Sequence, residues 1–279
     1  MHPEATLHTG QFWQAWTDDG VPVRGVVVLV HGVHEHAGRY AHVGARLAAA
    51  GYPVYAVDHP GHGRSPGTRG NIGSMEETVA GVDALARLAV ERHPGVPVFV
   101  YGHSLGGLIA LQYMTGTPIE LRGAVLSAPA VDVNAGNPVQ RAGSGLLSRF
   151  IPNLGVMRID AATISRDPDV VRAYRTDPLN YVGRLRARTG AEILRTTLAM
   201  QPRLEALRLP LLVIHGSADR LVSPSTTEWV AAHAGTDDLT VKVYERGYHE
   251  SHNEPNKDAV LDDIVAWLDA HAGASPPSA

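Results

Sequence analysis

Val96-Pro97-Val98-Phe99-Val100-Tyr101-Gly102-His103-Ser104-Leu105-Gly106-Gly107-Leu108 is where the chain declares its architecture. The run 96–100 is apolar, β-branched and short, which reads as a buried strand. From Leu105 to Thr115 the apolar spacing becomes helical, and Gly116 marks the end. Between strand and helix stands Gly102-His103-Ser104-Leu105-Gly106, a G-x-S-x-G elbow. A serine on so sharp a turn is strained, and small neighbours are needed to fit it. The helix that follows points its first amides at charge developing beside the hydroxyl. Ser104 therefore reads as a nucleophile. The same pattern recurs at Gly63-Arg64-Ser65-Pro66-Gly67, but after a loop and before a proline, so it reads as a glycine-rich turn.

Outward from this elbow, further buried runs at 26–30, 54–57, 124–126 and 211–214 alternate with helical patterns at 40–50, 75–92 and 224–234. Such alternation builds a parallel sheet with right-handed crossovers. A strand at 239–244 and a helix at 257–270 close the pattern, and 11–16 reads as an antiparallel edge strand. The stretch 132–204 breaks the alternation: it shows no convincing strand, only short helical patterns cut by Pro138, Pro152, Pro168, Pro178 and Pro202. The expected plan is one discontinuous core (1–131 and 205–273), an insertion (132–204) and a disordered tail (274–279). Within the insertion, Leu146, Leu147, Phe150, Ile151 and Leu154 share one helical face beside glycines. That face either packs on the core or forms a lid over an acyl pocket.

Composition narrows the function classes. The chain of 279 residues is 44% hydrophobic, enough for a full core, and its net charge of −4 supplies no broad basic surface for nucleic acid. With no cysteine, disulfides, thiolate zinc sites and cysteine nucleophiles are excluded. The first sixteen residues lack a signal peptide's apolar stretch and no run has the length of a membrane span, so a cytoplasmic protein is expected, in possible contact with lipid surfaces.

A serine hydroxyl needs a base, and the base an orienter, in the chain order Ser, acid, His for this kind of elbow. Asp219 follows the strand 211–214 and His249 follows the strand 239–244, both at the carboxyl edge where the elbow lies. Asp237 and Asp238 fall at the other edge, and His252 is the close rival to His249. The oxyanion donors are expected to be the Leu105 amide and the Val33 amide of the loop after 26–30. Fifteen histidines invite a metal reading, but His249-Glu250-Ser251-His252 sets its second histidine one residue short of the zincin spacing, and no metal site is expected.

These residues resemble the monoacylglycerol lipase branch of the α/β-hydrolases, bacterial members above all, and the broader set called lysophospholipases. The resemblance runs from about Gly10 to Ala270. It rests on Gly102 to Gly107, Asp58-His59-Pro60-Gly61-His62-Gly63-Arg64-Ser65, Leu126-Ser127-Ala128-Pro129-Ala130, His215-Gly216 with Asp219, and His249-Glu250 with Asn253-Glu254-Pro255. It implies a mostly parallel eight-stranded sheet flanked by helices, a helical lid, and hydrolysis of a lipid ester with no cofactor. It also implies that Glu35 and Arg39 lie near the glycerol head group, against the plainer alternative of surface charges or a salt bridge. Relatives carry H-G-x-G-E-H; here His34 stands at the second glycine, where a positive φ would be costly. Lysophospholipase, general carboxylesterase, acyl transfer, perhydrolysis and a non-catalytic receptor remain as alternatives on one fold.

Overall fold

The computed structural model describes residues 4–132 and 138–273. The tail 274–279 and residues 133–137 of the insertion lie outside them. In chain order the elements are β1 (Glu4–Thr6), β2 (Phe12–Trp16), β3 (Val26–Val30), α1 (Ala41–Ala49), β4 (Val54–Val57), α2 (Met75–Arg92), β5 (Val98–His103), α3 (Leu105–Met114) and β6 (Gly123–Ser127). There follow α4 (Pro138–Phe150), β7 (Gly155–Arg158), α5 (Pro168–Thr176), β8 (Arg184–Arg186), α6 (Ala187–Leu198) and α7 (Gln201–Ala206). Then come β9 (Leu211–Gly216), α8 (Ser225–His233), β10 (Leu239–Tyr244) and α9 (Lys257–Ala272).

Eight strands form one sheet in the order β1-β2-β4-β3-β5-β6-β9-β10. The pairs from β4 across to β10 are parallel, while β2 runs antiparallel to both its neighbours, β1 and β4. The segment read as an antiparallel edge strand is thus antiparallel but second from the edge. The three exposed residues of β1 cover it, and they are too few and too polar to signal a strand in sequence.

β3 shows how a continuous apolar run serves two faces. Val26, Val28 and Val30 pack into the core beneath α2 and α3, whereas Val27 and Leu29 pack into the opposite core beneath α1 and α9. Side chains alternate along a strand, so a strand covered on both faces has no polar positions. α2 starts with Ser74 accepting from the Glu77 amide at 3.1 Å, a cap that fixes the helix end.

The sheet's winding reverses between β3 and β5, because β4 lies on one side of β3 and β5 on the other. A crevice opens outside the carboxyl ends of strands at such a reversal. The residues leaving those two ends are His31-Gly32-Val33 and Ser104. The insertion between β6 and β9 sits over this edge. It holds α4 to α6 and, contrary to the sequence reading, two strands: β7 and β8 form an antiparallel ribbon. Their four- and three-residue lengths and Arg-rich composition hid them from a search for apolar runs. Among the described residues no helix is long and apolar enough to cross a membrane.

Candidate active site

Ser104 has φ +54° and ψ −119°, a left-handed conformation that side chains avoid. The surroundings impose it: a Cβ on Gly102 would meet the Gly106 carbonyl at 2.5 Å, and one on Gly106 would meet the Val30 carbonyl at 2.0 Å. β5, the turn and α3 are therefore packed too closely for any residue but glycine at either flank. The Ser104 amide donates to Ser127 O at 2.9 Å, tying the elbow to β6. Leu105 is the first residue of α3, so its N–H has no acceptor within the helix.

Asp219 and His249 come together across the loops after β9 and β10. His249 Nδ1 donates to Asp219 Oδ2 at 2.6 Å, which leaves Nε2 as the lone-pair nitrogen. The carboxylate is saturated: Oδ1 accepts from the Leu221 and Val222 amides at 2.8 and 3.1 Å, and Oδ2 also faces His215 Nε2 at 3.1 Å. Burial disfavours its charge, but His249 and these donors outweigh burial and hold its pKa below the usual carboxylate range. Burial likewise opposes charge on His249, and Asp219 overcomes it, raising its pKa. Ser104, His249, Gly32, Val33 and Leu105 line one cavity of about 670 Å³. Most of the remaining wall is apolar, including Ile164, Leu185, Ile193, Leu194, Leu221 and Val222.

The loop bearing Val33 is pinned from both sides. His59 donates its backbone N–H to His31 Nε2 at 3.0 Å, so His31 Nδ1 carries the proton it gives to Gly32 O at 2.7 Å. Glu35 takes the Gly32 amide at 2.6 Å and the Tyr40 hydroxyl at 2.6 Å. His34 adopts φ +67°, the conformation for which glycine is the usual choice. Its ring is buried edge-on against Tyr181, and its carbonyl accepts the Tyr181 amide at 2.9 Å, so packing and a hydrogen bond hold the strained residue.

Residues 21–256 match the family described as serine aminopeptidase, S33. The chain is 42% identical over 260 residues to a monoacylglycerol lipase of Mycolicibacterium smegmatis, covering 93% of this chain and 92% of the relative. It belongs to the monoacylglycerol lipase family of α/β-hydrolases. Human monoglyceride lipase is 32% identical, with 95% and 90% covered. The crystal structure of Paleococcus ferrophilus monoacylglycerol lipase superposes with a TM-score of 0.83 at 32% identity, covering 94% of this chain and 99% of that one.

Within this hydrolase Arg39 is not a surface charge. Its guanidinium grips Glu250 through bonds of 2.6 and 2.7 Å, also bonds Glu35, and lies 4.8 Å from the Tyr174 ring centre. Two buried carboxylates share one cation. Burial and the neighbouring Glu250 raise the Glu35 pKa against the pull of Arg39, whereas Glu250, despite burial, is held at about 2 by the arginine fork. Glu35 and Glu250 reach the cavity wall; Arg39 braces them from behind. Sequence reasoning missed Glu250, although it adjoins His249 and Arg39 needed partners.

The rival His252 is fully buried, its Nδ1 3.3 Å from the Tyr101 hydroxyl and its ring stacked on Tyr40. Ser65 bridges the Phe12 amide and the Asp58 carbonyl at 2.8 and 2.6 Å, a structural post. Of the insertion's apolar face, Leu147 alone lines the cavity. Leu146, Phe150, Ile151 and Leu154 face outward, Phe150 being 71% exposed, so they neither pack on the core nor wall the pocket. Among the described residues no cluster of three or more metal-ligating side chains is arranged to hold an ion.

Proposed function

We propose that this hydrolase cleaves monoacylglycerols into a fatty acid and glycerol, using Ser104 as nucleophile, His249 as base and Asp219 as orienter. The observation that carries the reading is a strained serine and a carboxylate-oriented histidine on the wall of one largely apolar cavity. The family relationship supports the substrate class.

Ser104 Oγ attacks the ester carbonyl carbon while His249 Nε2 takes its proton. The resulting oxyanion is received by the Val33 and Leu105 amides. Collapse breaks the bond to glycerol, which leaves with the proton from His249, and water repeats the sequence to release the acid. No step requires a cofactor. The fixed donors matter because they need no reorganisation when charge develops; removing one typically lowers turnover about 100- to 1000-fold. In this reading residues 132–204 form the cover and residues 1–131 with 205–273 the catalytic core, and the apolar wall takes the acyl chain.

A fluorophosphonate probe followed by mass mapping tests the assignment, with competition by monoacylglycerols of graded length and by lysophospholipids. Labelling at Ser104 that monoacylglycerols block supports it. Labelling elsewhere, or indifference to every lipid ester, refutes it.

A further inference from the structure

The two edges of the main sheet differ. β1, at one edge, has three exposed residues and begins on Glu4, whose carboxylate pairs with Arg64. Short, charged edges resist pairing with another chain. β10, at the other edge, runs through Leu239–Tyr244 without proline, glycine or bulge and bonds β9 alone. Its one charge is Lys242, the residue type that commonly guards an edge. Here the ammonium is drawn aside onto α9, where Asp263 takes it, and Tyr244 donates its hydroxyl to the same carboxylate at 2.9 Å.

The backbone of this edge has a definite pattern. Leu211 N–H donates to Asp238 O and Ser217 N–H to Tyr244 O, both at 2.9 Å, which brackets the ladder on β9. Even-numbered residues of β10 therefore turn their N–H and C=O to β9, and Leu239, Val241 and Val243 turn theirs outward. No further strand pairs with them among the described residues. The same three side chains share the face away from α9. Leu239 packs against the core there, whereas Val241 stays 41% and Val243 55% exposed. Donors, acceptors and apolar side chains are thus left open together on one strand.

We propose that a second copy of the chain pairs with this edge, β10 to β10, antiparallel about a twofold axis through Val241. Such an isologous pairing sets each residue opposite one of the same face. With the axis at Val241, Val241 faces its own copy and Leu239 faces Val243 on either side, so every outward residue exchanges both backbone hydrogen bonds. Moving the axis to Thr240 or Lys242 loses one of these pairs, and at Lys242 it also sets two ammoniums opposite each other. With the axis at Val241, Lys242 instead faces Thr240, and Asp238 of the other copy stands on the diagonal with the complementary charge. The six strand residues span about 20 Å, and the sheet with a helix layer on either side is about 30 Å thick. Each copy then buries about 600 Å², within the lower range for a specific pair. Antiparallel pairing turns the carboxyl edges of the two sheets opposite ways, so the two cavities open in opposite directions and neither is covered. None of this depends on the lipid-ester reading.

Sedimentation equilibrium of the whole chain from about 1 to about 100 μM tests the proposal, a range set by the affinities that interfaces of this size reach. The mass should rise toward two chains. Val241→Lys, which brings two ammoniums together on the axis, should weaken pairing about tenfold or more. Val241→Pro, which removes the outward N–H and leaves the bonds to β9 in place, should abolish it. Both variants should still unfold in one cooperative thermal transition. The chain has no cysteine, so Val241→Cys introduces a single thiol. A short bismaleimide should join two such chains, and should fail with Val23→Cys, an exposed position elsewhere. One chain mass at every concentration overturns the proposal, as does a dimer that both Val241→Lys and Val241→Pro leave intact. Should either variant fail to fold, the cross-link decides: a covalent pair through position 241 supports the twofold at Val241, and a dimer that yields none overturns it.

Discussion

Lowering the pH from 7.5 to about 5.5 should strip several kcal/mol from this fold, because it has buried its histidines uncharged. Burial pushes His34, His59 and His103 down to about 3 and His62 to about 4, and it leads in lowering His31 and His252 as well. In the unfolded chain each ring titrates near 6.5. Above that value neither state binds the proton and the rings contribute no pH dependence. As pH falls below 6.5 the unfolded state protonates and the folded state does not, so stability declines until the folded values near 3 to 4 are reached. At pH 5.5, one unit below the unfolded value, the difference is about 1 kcal/mol per ring, or several kcal/mol for the four with stated values together. That is comparable to the whole stability of many domains. His249 acts in the opposite sense, since Asp219 raises its pKa and it binds its proton more readily folded, and the Glu35 and Asp58 carboxyls, raised by burial, act with it; these three are outnumbered by the lowered rings. Urea unfolding at pH 7.5, 6.5 and 5.5, with linear extrapolation at each, reads the effect. A free energy that stays flat across this range would show that the rings take up protons in the fold as readily as in the unfolded chain, and the argument from burial would fail.

Six substitutions test the site and its rival residues. Ser104→Ala should abolish probe labelling, whereas Ser65→Ala should keep it and lose about 1–2 kcal/mol in a melting experiment, because only its bridging hydrogen bonds go. His249→Ala should lower kcat by several orders of magnitude and His252→Ala far less; the reverse order would mean that the base is misassigned. Leu147→Asp should damage hydrolysis of long monoacylglycerols while sparing acetate esters, since each buried methylene of the acyl chain is worth about 0.8 kcal/mol on that wall; equal damage to both esters would make Leu147 a packing residue. Arg39→Met should cost about 3–5 kcal/mol of stability by leaving Glu35 and Glu250 buried without their cation. A near-neutral melt would show that the carboxylates take up protons or water at little cost.

The elbow, the sheet and the Asp219–His249 pair were legible because each is written in local pattern: a two-face strand has no polar positions, and a serine between strand and helix must be flanked by glycine. His34 was legible as a problem, an L-residue at a glycine position, but its remedy was not, because Tyr181 lies far along the chain. Glu250 escaped for the same reason. Its partner Arg39 is 211 residues away, and no spacing rule spans that distance. The ribbon of β7 and β8 and the outward turn of Phe150 were lost for a different reason. Surface strands and exposed apolar tips follow what they meet outside the chain, so hydropathy reads them as turns or as core.

Two main-chain hydrogen bonds sew the insertion to the loops around the cavity: Tyr181 N–H to His34 O at 2.9 Å, and Glu250 N–H to Ile164 O at 2.8 Å. One seam closes on the loop of Val33, the other on the residue after His249. For anyone grafting covers between relatives, the exchangeable cassette is therefore narrower than the insertion. The span 138–158 carries the outward face and neither seam, whereas 164–181 belongs, in effect, to the loops of Val33 and His249. A chimera cut at the ends of the whole insertion would import foreign anchors for the loops of Val33 and His249 along with the new cover, and a change in turnover would then report on those loops as much as on the selectivity it was built to alter.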